Sequence, residues 1–127
     1  MLTFSLAMAV LLTACATDEP LGGPLRIEVA APTPRVALQR IAAGAARCWK
    51  RGAISGYAVV PELDTEAGNP RILLIEKGNP AALPSLVIEA RPLPVRVSSF
   101  GPLASEGLSS RINDDVIRWS TGADTCG

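Results

Sequence analysis

Between Tyr57 and Phe100 the chain is cut into short apolar runs by turn residues, and this pattern limits the folds open to it. Tyr57-Ala58-Val59-Val60 leads into Asp64-Thr65-Glu66-Ala67-Gly68-Asn69-Pro70. Arg71 to Lys77 leads into Gly78-Asn79-Pro80. Ser85 to Arg91 leads into Pro92-Leu93-Pro94, and Val95-Arg96-Val97-Ser98 leads into Phe100-Gly101-Pro102. Short runs rich in β-branched residues and bounded by Gly, Asn and Pro read as strands. The connections are short, so neighbouring strands should pair antiparallel in a four-stranded meander. Ile72 and Leu74 fall on one side of their strand, Leu73 and Ile75 on the other. That strand is apolar on both sides and belongs centrally. Pro61, Pro92 and Pro94 have no N–H to give a ladder, so they belong at strand ends or sheet edges.

On both sides of this region the period becomes helical. Thr33 is a natural N-cap and Pro34 suits the first helical position. From there Leu38, Ile41, Ala42, Ala45, Cys48 and Trp49 share one face, while Arg40, Arg47 and Arg51 share another. This helix is expected to run to about Arg51 and stop at Gly52. The cluster Arg47-Cys48-Trp49-Lys50-Arg51 reads as its C-terminal turn with Trp49 in the core, not as a patch for anionic lipid or peptidoglycan. A second helix is expected from Leu103 to Trp119, with Ala104, Leu108, Ile112, Val116 and Trp119 as its apolar stripe. Leu25-Arg26-Ile27-Glu28-Val29 alternates, as either an edge strand or an extended linker. The fold class is therefore α+β: helix, four-stranded antiparallel meander, helix, with both helices on one face of the sheet.

Charge and residue content narrow the function. Twelve basic residues balance twelve acidic ones, so no electrostatic footprint for nucleic acid is expected. The chain has no histidine. Acid–base or nucleophilic chemistry would have to come from carboxylates, Lys, Tyr, Ser or Thr. No Ser lies in Gly-x-Ser-x-Gly, and no Gly-rich phosphate loop occurs. Asp114 and Asp115 are adjacent, so on a helix they diverge and read as a solvated face. Glu62 and Asp64 lie two apart on an extended segment and share a side. With Glu66 and Asn69 they form a weak candidate set of oxygen ligands for Ca²⁺. An ordinary acidic hairpin loop explains them as well. No cofactor and no other metal site is implied.

Residues 1–14, MLTFSLAMAVLLTA, carry no charge, and polar chain begins at Thr17-Asp18-Glu19-Pro20. The run is too short to span a bilayer but has the length of a signal-peptide apolar region. Its end, Leu12-Thr13-Ala14-Cys15, resembles the lipobox of bacterial lipoproteins. The basic n-region of such signals is absent from Met1-Leu2-Thr3-Phe4-Ser5. The resemblance implies a signal peptide over 1–14, cleavage between Ala14 and Cys15, and acylation of Cys15. Residues 15–24 would then be a lipidated N-terminus and tether, and 25–127 a single α+β domain. Multiple acyl chains anchor stably where one does not. Ala16, where an Asp would retain such a protein in the inner membrane of a Gram-negative cell, resembles the outer-membrane default.

If Cys15 is lipidated, Cys48 and Cys126 remain as an even pair in an oxidising compartment. They are expected to form a disulfide that pins the C-terminal tail, the alternative being two free thiols. The function expected from these readings is a non-catalytic binding or scaffolding role on the periplasmic face of the outer membrane. The partners would be the membrane, through the N-terminal lipid, and an envelope protein. The alternatives are a small-ligand or lipid-binding module with a cavity between helices and sheet, and a hydrolase using Glu62 or Asp64.

Overall fold

A computed structural model of the protein describes residues 22–65, 68–79 and 81–127. Leu12-Thr13-Ala14-Cys15, Ala16 and Glu66 lie outside the described residues, as does the tether up to residue 21.

The architecture is α+β, with one antiparallel sheet and two α-helices. The strands are β1 (Arg26–Glu28), β2 (Tyr57–Glu62), β3 (Arg71–Glu76), β4 (Leu86–Arg91) and β5 (Arg96–Phe100), and the helices are α1 (Pro34–Cys48) and α2 (Ser109–Ser120). The sheet order is β1-β5-β4-β3-β2. The meander from β2 to β5 is as expected, but the sheet has five strands and opens with a strand. The Leu25–Val29 segment pairs at the sheet edge, with Arg26 opposite Ser98, Ile27 opposite Val97 and Glu28 opposite Arg96. β3 is an interior strand, and β4 holds the middle. Pro61 lies in β2, an edge strand, where its missing N–H costs no ladder bond.

α1 begins as its sequence dictates. Thr33 has extended backbone, its hydroxyl accepts from the Val36 N–H at 3.1 Å, and Pro34 opens the helix. It ends at Cys48, one turn short of the expected Arg51, because Trp49 takes up a non-helical cap conformation. A short 3-10 helix, Ala53–Gly56, then leads into β2. The second expected helix is broken in two. Leu103 starts in a 3-10 helix (Pro102–Ser105), the chain is extended at Glu106, and α2 begins only at Ser109. The apolar stripe survives the break: Ala104, Ile112, Val116 and Trp119 are all buried.

α1 lies across the sheet, and α2 packs mainly on α1 and the preceding 3-10 helix. Both helices therefore feed a single core on one side of the sheet, though only α1 covers the strands broadly. That core joins Leu38 and Ile41 of α1, Ile72 and Leu74 of β3, Ile88 of β4, Val97 of β5, and Val116 and Trp119 of α2. These side chains fill the space between α1 and the sheet. The helices approach closely at Gly44, where a Cβ would fall inside the Trp119 ring. Trp49 and Trp119 meet with centroids 5.3 Å apart at a tilt of 54°, within the range favoured by aromatic pairs.

The C-terminal tail folds back over this helix pair. Cys48 and Cys126 form a disulfide with a Cα–Cα distance of 5.3 Å. Beside it, Trp119 Nε1 donates to the Thr125 carbonyl at 2.9 Å, and an Arg47 terminal nitrogen donates to the Asp124 carbonyl at 3.2 Å. Asp114 is exposed, as expected for a solvated face, but Asp115 is buried. It accepts from Trp49 Nε1 at 2.8 Å and pairs with Arg118. The Trp49 donor comes from the end of α1, 66 residues away, so the carboxylate is drawn inward by a partner that local spacing does not reveal.

Candidate functional site: the open face of the sheet

Side chains alternate along every strand, so the face turned away from α1 is fixed by register. Val60, Leu73, Val87 and Phe100 stand opposite one another across four strands and form an apolar row on that face. Leu73 is buried there by its neighbours alone, while Phe100 remains 48% exposed. The next row on the same face is charged at four of its five positions: Glu62, Arg71, Glu89 and Arg26, with Ser98 between the last two. Beyond it lie Arg91, Arg96 and Glu28. Among the described residues no helix covers this face.

Most of these charges pair along the surface. Arg71 Nε bonds Glu62 at 2.6 Å, and Arg91 Nε bonds Glu89 at 2.7 Å. Arg96 Nε faces a Glu28 carboxylate oxygen at 3.9 Å. Exposed pairs of this kind add little stability. Arg26 has no ion-pair partner among the described residues. At this end of the face the surface sinks into a depression of about 450 Å³, lined by Arg26, Arg91 and Arg96 with Glu89, Pro92 and Phe100. Leu93, 92% exposed, stands next to Pro92 in the turn between β4 and β5.

The candidate Ca²⁺ ligands are distributed differently. Glu62 is held by Arg71 on the open face, whereas Asp64 pairs with Arg35 of α1 at 2.6 Å. Asn69 Nδ2 donates to Glu89 Oε1 at 3.3 Å. Glu62 and Asp64 therefore turn to different arginines, and Asn69 turns to a third carboxylate. Among the described residues no group of three acidic or thiol side chains is placed to hold a metal.

The arginine-lined depression has no counterpart in the sequence reading. Arg26, Arg91 and Arg96 sit at strand ends on three separate strands, and only the register brings them together. The sequence signal was the alternation at Arg26-Ile27-Glu28, which places Arg26 and Glu28 on the solvent side of whichever sheet they join. No protein-family model, no curated protein and no solved structure matches the chain.

Proposed function

We propose that this chain is a lipid-anchored protein of the bacterial cell envelope. It is cleaved between Ala14 and Cys15, acylated on Cys15, and held on the periplasmic face of the outer membrane. It acts there by binding or scaffolding an envelope partner, not by catalysis, and presents the open sheet face to that partner. The observation that carries this reading is the Cys48–Cys126 bridge. Disulfides persist in oxidising compartments and are rare in the cytosol, so a bridged domain behind a lipobox-like stretch is coherent with export. A balanced charge and a sheet face that no helix covers among the described residues, beside mutually paired arginines and glutamates, suit a protein-contact surface.

The test is fractionation of a Gram-negative host expressing the chain with and without Cys15→Ala. Wild type is expected in the outer-membrane fraction, and the variant in the inner membrane as uncleaved precursor or in the periplasm. Outer-membrane recovery of Cys15→Ala equal to wild type would overturn the reading.

A further inference from the structure

We propose that the depression lined by Arg26, Arg91 and Arg96 binds a phosphate ester. This goes beyond the anchoring proposal and does not depend on it. The argument rests on charge, geometry and an apolar wall. Three guanidiniums converge on one concave surface with a single carboxylate, Glu89, among them. Arg91 bonds Glu89 through Nε, which leaves its terminal nitrogens as a fork for a second oxyanion. Arg96 meets Glu28 through Nε at the long distance of 3.9 Å. Arg26 has no partner at all among the described residues. Even counting both glutamates, the site retains a positive excess.

Planar, permanently charged guanidiniums in a cluster match a phosphate better than a point cation would. Phe100 and Pro92 supply an apolar wall against which the esterified carbon skeleton can lie. A phosphate ester satisfies both parts of the site, whereas inorganic phosphate satisfies only the first. Two sources offer this chemistry: a phospholipid headgroup, and a soluble glycerol or sugar phosphate.

The experiment is calorimetric titration of the full chain in neutral detergent micelles. The probes are glycerol 3-phosphate and a short-chain phosphatidylglycerol, at ionic strength matched with chloride so that general screening is constant. Saturable binding of either probe is expected. Arg26→Gln should weaken it by about tenfold or more, the loss of one charge-assisted contact. Because Arg26 makes no ion pair among the described residues, its replacement leaves the paired charges of the sheet in place. Arg71→Gln, on the same face but outside the depression, should bind as wild type does. Binding of the soluble ester identifies a soluble ligand, and binding of phosphatidylglycerol alone identifies a headgroup site. Absence of saturable binding for both probes would overturn the proposal. So would Arg26→Gln binding as tightly as wild type, or Arg71→Gln weakening it equally.

Discussion

Trp49 and Asp115, 66 residues apart in sequence, are joined inside the protein by a bond of 2.8 Å from Nε1 to Oδ2. The carboxylate also pairs with Arg118 and lies 4.0 Å from Arg111. One buried acid thus ties the end of α1 to the middle of α2 and orients two arginines. A buried carboxylate holds its place only when its oxygens are satisfied, and here each oxygen has a donor.

The first prediction concerns this bond. Asp115→Ala leaves the Trp49 N–H without its acceptor and Arg118 without its closer carboxylate. Stability should fall by about 1–3 kcal/mol, the usual cost of an orphaned buried donor. Asp115→Asn keeps an acceptor for Trp49 and should cost less. In a double-mutant cycle with Trp49→Phe, the two sites should show a coupling of about 0.5–3 kcal/mol. Urea unfolding followed by circular dichroism measures all four corners. Purely additive effects would mean that the two residues act independently.

Gly44 gives a prediction with an unusual sign. In the interior of a helix, Gly→Ala normally gains about 1 kcal/mol. At Gly44 the new methyl would enter the space of the Trp119 ring. Gly44→Ala should therefore destabilise, by about 1–3 kcal/mol as in other overpacked cores. On a Trp119→Leu background the clash is removed, and the same substitution should become neutral or favourable. Thermal melts of the four proteins check this, and a Gly44→Ala variant as stable as wild type would refute the close approach of the helices.

The disulfide closes a loop spanning 78 residues. On the chain-entropy account, closing such a loop is worth about 4 to 5 kcal/mol, and measured bridges often give less. Reduction, or Cys126→Ser, should lower the unfolding midpoint clearly. The tail should nevertheless stay docked in the reduced protein, because Thr125 and Asp124 carbonyls are held by Trp119, Arg118 and Arg47. Protection of the Trp119 indole N–H from exchange, measured before and after reduction, separates the two effects. Loss of that protection on reduction would show that the bridge alone keeps the tail in place.

What the sequence made legible was local. The capped start of α1 at Thr33-Pro34, the four strands of the meander and the apolar stripe through Ile112, Val116 and Trp119 all follow from spacing and turn chemistry. The parts that escaped depend on distant partners. Glu106-Gly107 interrupts what periodicity reads as one helix, since a stripe of apolar residues persists through a 3-10 turn. Asp115 looks like its exposed neighbour Asp114 until Trp49 arrives from another helix. The arginine depression needs the register of three strands, and β1 needs donors and acceptors more than seventy residues away. Cysteine parity pointed to the Cys48–Cys126 pair, and the fold brings those two residues together.

That dependence of β1 on distant groups yields the last prediction. β1 has three residues in strand conformation, and its pairing with β5 continues through the Ser99 N–H to the Leu25 carbonyl at 2.9 Å and the Val29 N–H to the Val95 carbonyl at 3.0 Å. It is also fastened from outside the ladder. Ser99 Oγ accepts from the Leu25 N–H at 2.9 Å, Ser109 Oγ accepts from the Gly23 N–H at 3.1 Å, and Asn113 Nδ2 donates to the Gly23 carbonyl at 2.9 Å. Each such bond contributes about 0.5–1.5 kcal/mol. Ser109→Ala should therefore speed amide exchange at Gly23 by roughly two- to tenfold through local opening. Exchange at Ile88, in the central strand β4 and bonded toward β3, should be unaffected, and the global unfolding midpoint should move little. Since β1 carries Arg26, the same substitution should also weaken phosphate-ester binding, although it touches no guanidinium. If Ser109→Ala accelerates Ile88 as much as Gly23, the edge opens only with the whole domain, and β1 is then an integral part of the sheet with no separate fastening.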